Sequence, residues 1–313
     1  MKTSFVLLAL FLTLDPAMAA ETLKKTVCSM TINSDDEIET FKNILPASEF
    51  NFIELVDLVP IEQRTSRDVA KHMCRSEIKC DILLISAEFA GMFFGTSGIY
   101  MPLEDLEERT CDDSCIGTLK NPREVFLFGC NTLAGKNRDH RTSEQYFEVL
   151  ARDFNPALAQ MIATYRYSEL GTASKSRMED LFEGAQIIHG FSSTGPKGYQ
   201  IKPAIVQYLK SIGKKFGSYS KYFDQLKSGQ KSELKKFVGG SYTFTSGTSQ
   251  YAKSERPYCV LSSKTLSRLD KIKWMSRTLR GKDRLANIPY IEKFLSEKIK
   301  NPEPVFNAEE ISE

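Results

Sequence analysis

Two rhythms of apolar and polar residues alternate over the first two hundred positions. Short runs rich in β-branched and aromatic residues occur at Thr26 to Ile32, Phe50 to Val59, Asp81 to Ile85, Glu124 to Phe128 and Gln186 to Phe191. They are read as strands. The third is a continuous apolar run, as expected of an inner parallel strand covered on both faces. Between them the spacing turns helical. Ser34 with Glu37 three residues on forms a capping-box pattern ahead of Ile38, Phe41 and Ile44. Ser66 is placed to cap a short helix through Val69, Ala70 and Met73, and Leu103 to Glu108 continues the helical reading. Thr142 to Gln145 is a second capping box, opening a helix with Tyr146, Phe147, Val149 and Leu150. Pro156 suits the first turn of a helix reaching about Arg166, and Ser176 to Phe182 is helical again. Ala90 to Gly98 reads as a Gly-rich loop. Strands alternating with helices predict an α/β fold, a three-layer sandwich around a mostly parallel central sheet. In such sheets ligands gather outside the carboxyl ends of the strands.

The last hundred residues change character. Lys202 to Ile212 and Ser262 to Leu285 read as amphipathic helices with Lys and Arg on the wet face, and Gly239 to Ser254 as a hairpin or loop. Trp274 is read as a packing anchor, and residues 301–313 as an acidic, frayed end. The predicted organisation is a signal peptide over 1–19, an α/β domain over 20–210 and a basic, mainly helical extension over 211–313. Net charge sharpens this division. Residues 201–313 hold 22 Lys/Arg and 11 Asp/Glu, about +11, whereas residues 1–200 hold 20 and 29, about −9. Either the two parts attract each other, or the basic part has a solvated face, or it docks on an anionic surface such as lipid headgroups or nucleic acid.

The first residues read as targeting rather than fold. Lys2 precedes a ten-residue apolar run from Phe5 to Leu14, too short for a stable membrane anchor, and Ala17-Met18-Ala19 is a small-x-small cleavage site. No later stretch is long and apolar enough to span a bilayer. An exported product, periplasmic or secreted, is expected. Export permits disulfides among the seven cysteines, and an odd number leaves one over. The expected pairs are Cys74–Cys80, Cys111–Cys115 and Cys28–Cys259, with Cys130 free. No metal or cofactor is expected, because none of His72, His140 and His189 stands at a metal spacing from the Cys111/Cys115 pair.

Cys130 is the residue with the most chemistry in its setting. It ends the apolar run Val125-Phe126-Leu127-Phe128-Gly129 and opens a polar turn at Asn131-Thr132. That placement suits a nucleophile, although a free Cys also packs as a small inert hydrophobe. With Asp81 to Ser86 as one inner strand and Val125 to Cys130 as the next, residues 26 to 210 resemble the caspase-like cysteine peptidases, the group of caspases, legumain, gingipains and clostripain. In that family one inner strand ends in a His-Gly pair that supplies the base, and the next ends in the nucleophilic Cys. The 42 residues from Glu88 to Cys130 are close to the family's spacing. The departure is at the base. A bacterial relative is expected to read Ser-Gly-His-Phe-Gly-Gly, and this chain reads Ser86-Ala87-Glu88-Phe89-Ala90-Gly91.

The substitution matters energetically. A carboxylate at roughly 4.3 lies about four pH units below a free thiol, which makes full proton transfer uphill by about 5–6 kcal/mol, and an ionised Glu88 opposes a nearby thiolate. Neither His140, in a polar loop, nor His189, near the end of a later strand, precedes Cys130 as the family's base does. Three readings stay open. The resemblance implies a catalytically impaired peptidase homologue that binds a peptide or protein partner at the strand ends, between loops 92–98 and 132–142. Alternatively, Cys130 is an active nucleophile, with Glu88, His140 or His189 assisting and backbone N–H groups near Gly91 or Gly129 to Cys130 as oxyanion hole. The third is an envelope adaptor that binds an anionic surface through its basic end. Arg166, Tyr167 and the turn 192–198 are candidate cleft walls.

Overall fold

A computed structural model of the protein describes residues 24–300, apart from 65–68, 112–113, 136–139, 169, 250–251 and 282–283. The expected signal peptide, the Ser66 cap and the acidic end at 301–313 lie outside the described residues.

The chain enters through β1 (Lys25–Thr31), α1 (Asp36–Ile44), β2 (Phe50–Glu54), α2 (Val69–Met73) and β3 (Ile82–Ser86). A small antiparallel sheet follows, made of β4 (Glu88–Phe89), β5 (Met92–Phe94) and β6 (Tyr100–Pro102). Next come α3 (Leu103–Arg109), β7 (Glu124–Phe128), α4 (Ser143–Leu150), α5 (Pro156–Tyr167), α6 (Ser174–Leu181) and β8 (Ile187–Phe191). The chain ends with α7 (Gly198–Phe216), α8 (Tyr219–Asp224), β9 (Tyr242–Thr245), α9 (Pro257–Ser262), α10 (Arg268–Arg280) and α11 (Arg284–Lys300).

Six strands form the central sheet in the order β2-β1-β3-β7-β8-β9, with every pair parallel except β8 and β9. Alternation along the strands divides the core into two layers. Ile82, Leu84 and Phe126 face α1, α7 and α8, together with Phe41, Ile205 and Tyr208. Leu83, Ile85, Val125 and Leu127 face α2, α3 and α6, together with Met73, Leu106 and Leu181. The fold is the expected α/β three-layer arrangement.

Four local readings differ. Ala90 to Gly98 is not only loop: Met92 to Phe94 pairs with Glu88 and Phe89 as a tight hairpin around Gly91, whose φ is +82°. Gly239 to Ser254 contains β9, which closes the sheet edge against β8. The sheet therefore draws on residues beyond position 210. The helix read over Ser262 to Leu285 is shorter, because Ser267 caps α10 through the N–H of Asp270 and the chain breaks at Gly281. Strand β2 stops at Glu54 and gives way to single helical turns.

The disulfides are Cys28–Cys80, Cys74–Cys115 and Cys111–Cys259, so none of the three expected pairs forms. Pairs near in sequence are not near in space here. Cys80 crosses beside β1 just before β3 begins and meets Cys28, while Cys115 turns under α2 and meets Cys74. Cys111 closes a loop of 148 residues onto α9. In the chain-entropy account a loop of that order stabilises the fold by about 4–5 kcal/mol. Cys130 is the free cysteine, as expected. No helix among the described residues is long and apolar enough to cross a membrane.

The acidic and basic parts do attract each other. Within the acidic part Arg177 on α6 makes two hydrogen bonds to Glu107 on α3, at 2.8 Å each, and Tyr290 on α11 reaches across from the basic part to donate to the same carboxylate at 3.1 Å. Arg256 pairs with Glu183, and Lys293 with Glu108. A second polar cluster lies at the start of β7. Glu124 is wholly buried and takes hydrogen bonds from the hydroxyls of Tyr208 on α7 and Tyr219 on α8. His189 Nε2 on β8 stands 3.0 Å from the same carboxylate, and its Nδ1 lies 2.6 Å from the Tyr242 hydroxyl on β9. Removing the carboxylate takes the shared acceptor from the Tyr208 and Tyr219 hydroxyls and the partner from His189 Nε2. Glu124→Ala is therefore expected to lower the free energy of unfolding by about 3–5 kcal/mol in urea titration. A loss below about 1 kcal/mol would mean that the cluster contributes little.

Candidate functional site

Adjacent strand ends bring the two singled-out residues together. In the β3–β7 ladder Ser86 stands opposite Phe128, and the N–H of Ala87 donates to the carbonyl of Phe128 at 3.1 Å. Glu88 and Cys130 each come two residues later, at the same step of the two chains, and both line one small pocket of about 20 Å³. Glu88 also lines a larger cleft of about 720 Å³. The cleft lies at the carboxyl ends of β1 and β3. There the chain order reverses, with β2 on one side of β1 and all later strands on the other. This topological switch point is where open α/β sheets place their ligands.

Cys130 is held tightly. It is 1% exposed and belongs to an apolar cluster with Phe94, Tyr146, Leu150 and Ile162. Its Sγ accepts the N–H of Gly195 at 3.3 Å. The next residue, Asn131, has φ +59°, the left-handed conformation that Asn tolerates better than most residues. Its N–H donates to the carbonyl of Ser193 at 2.8 Å, and its Oδ1 accepts the Tyr146 hydroxyl at 3.1 Å. Gly129 is required by close approach, because a Cβ there would lie 2.4 Å from the carbonyl oxygen of Ala87. Burial first, and then the nearby Glu88 charge, push the Cys130 thiol up to about 12 against the pull of the Gly195 N–H.

The carboxylates around it are also perturbed. Burial raises Glu88 to about 7, with Lys197 opposing, and the side chain accepts a hydrogen bond from Asn33 Nδ2 at 3.2 Å. Glu37 sits in the same pocket, 2% exposed, and accepts the Ser86 hydroxyl at 3.1 Å. Burial raises it to about 7 despite its backbone and Ser86 hydrogen bonds. The sequence reading missed this role by assigning Glu37 to a capping box. That box does not form: Asp35 is the cap residue without a side-chain cap bond, and the Ser34 oxygen takes the N–H of Asp36 at 3.2 Å. The available signal was position, since the first turn of a helix entered from β1 lies at the strand ends.

The cleft lining is largely aromatic and apolar, with Phe94, Tyr100, Phe154, Met161 and Tyr199, and also carries Asp36, Asp153 and Lys197. Tyr100 and Tyr199 are 52% and 63% exposed and flank the mouth. Lys197 lies 5.6 Å over the Phe154 ring and donates to the carbonyl of Asp153 at 3.0 Å, which holds the wall between cleft and pocket.

Several expected participants are elsewhere. His140 is exposed and lines neither cavity, and His189 is in the Glu124 cluster inside the sheet. Gly91 packs against the Tyr165 ring rather than into the pocket, so it offers no oxyanion donor there. Arg166 is buried and bonded to the carbonyl of Gly171, outside the walls, as is Tyr167. Of the turn at 192–198, Gly195 to Gly198 does line the site. Of the first candidate loop, Phe94 to Thr96 does so too. The described residues of the loop at 132–142 do not. Among the described residues no group of three or more His, Cys, Asp or Glu side chains is placed to hold a metal ion. No family model, no curated protein and no solved structure matches the chain.

Glu37 and Glu88 hold their protons in the folded chain up to about 7, against the ordinary 4.5. The native state therefore binds more protons than the unfolded state between these values. The contribution of these two groups to stability is full below about 4.5 and is lost as pH rises to about 7. Glu37→Gln fixes the neutral form. The variant is expected to match the parent at pH 4 and to exceed it by up to about 3 kcal/mol at pH 8 in urea titration. Equal stability differences at both pH values would remove the assignment.

Proposed function

We propose that this chain is an exported, caspase-like domain that binds a peptide or protein segment in its strand-end cleft and does not turn over peptides through Cys130. The resemblance supplies the family. The adjacency of Glu88 and Cys130 at the tips of neighbouring inner strands supports it. The three disulfides support an oxidising compartment, periplasmic or extracellular.

The observation that carries the loss of turnover is the burial of the sulfur beside a carboxyl group. Burial lifts both groups, Glu88 to about 7 and Cys130 to about 12, so the gap between them stays near five pH units. Proton transfer from thiol to carboxylate is then uphill by about 7 kcal/mol. The charge of an ionised Glu88 is already part of what lifts the thiol. An imidazole at this position would have the opposite sign of effect, because its cation attracts the thiolate. The reading with Cys130 as an active nucleophile would require the sulfur to be uncovered and another base to reach it, and both His140 and His189 lie away from the pocket.

The cleft itself fits a side-chain-bearing segment. It is open, sizeable and mixed, with an aromatic wall that can bury an apolar side chain and carboxylates that can take a donor or a cation.

In the folded protein at pH 7.5 iodoacetamide is expected to label Cys130 at least about a thousandfold more slowly than an ordinary thiol of pKa 8.5. Mass mapping of the adduct reads this directly, and rapid selective labelling would sink the silent-thiol reading. Cleft binding is checked with a fluorescent peptide selected from a display library against the mature chain. Met161→Arg, which fills the apolar wall, is expected to weaken binding tenfold or more, whereas Cys130→Ala should leave it unchanged. A peptide indifferent to Met161→Arg binds elsewhere.

A further inference from the structure

The cationic surface of the C-terminal helices lies apart from the cleft. Between Lys264 and Leu285 the sequence carries eight Lys/Arg and two Asp, a net of +6 over 22 residues. Helix α10 is two-sided. Trp274 and Met275 are buried in a small cluster with Val260, Leu261 and Ile291. Lys273, Arg277 and Arg280 recur at i, i+4 and i+7 and are all exposed.

The same stretch also exposes large apolar side chains. Leu266 before the helix, Leu279 within it and Leu285 after it are 39%, 43% and 63% exposed. Arg284, beside Leu285, is exposed too. Only Trp274 could have been an aromatic anchor, and it is turned inward.

We propose that the outer face of α10, with the start of α11, docks on an anionic lipid bilayer surface. Charge complementarity selects the partner. Clustered Lys and Arg are drawn to a negatively charged leaflet, each worth about a fivefold gain in binding near the surface. Exposed leucines of the same stretch, Leu279 on the flank of α10 and Leu266 and Leu285 beyond its two ends, then enter the boundary between headgroups and acyl chains, as the apolar residues of interfacial helices do. A nucleic-acid backbone would use the same cations but has no place for exposed leucines, and base-stacking aromatics are missing from this face. Docking here leaves the cleft, built from the strand ends and the start of α7, free to hold its own ligand.

The test uses the mature full chain in co-sedimentation with phosphatidylcholine vesicles, with and without 30% phosphatidylserine, at 50 and 500 mM NaCl. Binding is expected to the anionic vesicles at low salt, to be lost at high salt, and not to occur on phosphatidylcholine alone. The exposed double substitution Arg277→Gln with Arg280→Gln is expected to weaken it about 25-fold. Leu279→Ser with Leu285→Ser is expected to weaken it as well, with thermal melting of both variants at the parent temperature. Three outcomes overturn the proposal: equal binding to neutral vesicles, no binding at 50 mM salt, or binding that ignores the leucine changes. Retention of duplex DNA at an affinity above that for the anionic vesicles also overturns it and assigns the cations to nucleic acid.

Discussion

One buried carboxylate ties the sheet to the half of the chain that completes it. Glu124 opens β7, the strand that delivers Cys130, and receives groups from β8, α7 and α8, while His189 passes the connection on to β9. A carboxylate at zero exposure is costly to desolvate and persists only when its lone pairs are filled. Filling them fixes the position of α7 against the sheet. The far end of that constraint is functional, because the first residues of α7 and its cap, Gly198 and Lys197, are a wall of the cleft. The polar anchor sits at the amino ends of the strands and the cavity at the carboxyl ends. Tightness at one end coexists with an opening at the other.

What lies within a few residues was legible. Glu124 to Phe128 was readable as an inner strand from five residues alone, and the Thr142/Gln145 capping box and Pro156 marked helix starts correctly. The errors come from partners that sequence does not place. Glu37 fits a capping box by spacing, but its hydrogen-bond partner is Ser86, 49 residues on, across the end of the sheet. Disulfide spacing misled for the same reason, since Cys74 and Cys80 flank a turn that sends them to different partners. β9 alternates aromatic and polar residues over Tyr242 to Thr245, but it is an edge strand of only four residues set among Gly and Ser, too short a run to stand out from a loop. At the site, the juxtaposition of Glu88 and Cys130 was expected from the family resemblance, and the neighbouring β3 and β7 bring it about. The burial of the sulfur did not, because it depends on α4, α5 and Gly195 closing over it.

That closure determines how the thiol behaves. A cysteine at a strand tip is a nucleophile only if its neighbourhood favours the thiolate, and here burial and the Glu88 charge outweigh the backbone N–H groups of Gly195 and Cys130. The apolar cluster around Cys130 and the carboxyl group beside it act in the same direction. Burial alone would raise both Glu88 and the thiol and leave their order unchanged, so deeper packing cannot repair the mismatch that the acidic side chain introduces. Two carboxyls near pH 7 in one pocket have a further consequence: their ionisation is sensitive to whatever enters. A cation seated in the cleft would lower Glu88, and an apolar plug would raise it further.

The division of charge along the chain has two distinct uses. Its inner part is internal: Arg256, Lys293 and Tyr290 meet Glu183, Glu108 and Glu107, and the Cys111–Cys259 bond holds the same seam shut. Those contacts engage the acidic helices α3 and α6 from one side of the C-terminal part only. A helix has two sides, and in α10 Lys273, Arg277 and Arg280 are exposed on the side away from the buried Trp274 and Met275. Attraction between the halves therefore explains how the basic part is attached, but not why its exposed face is basic.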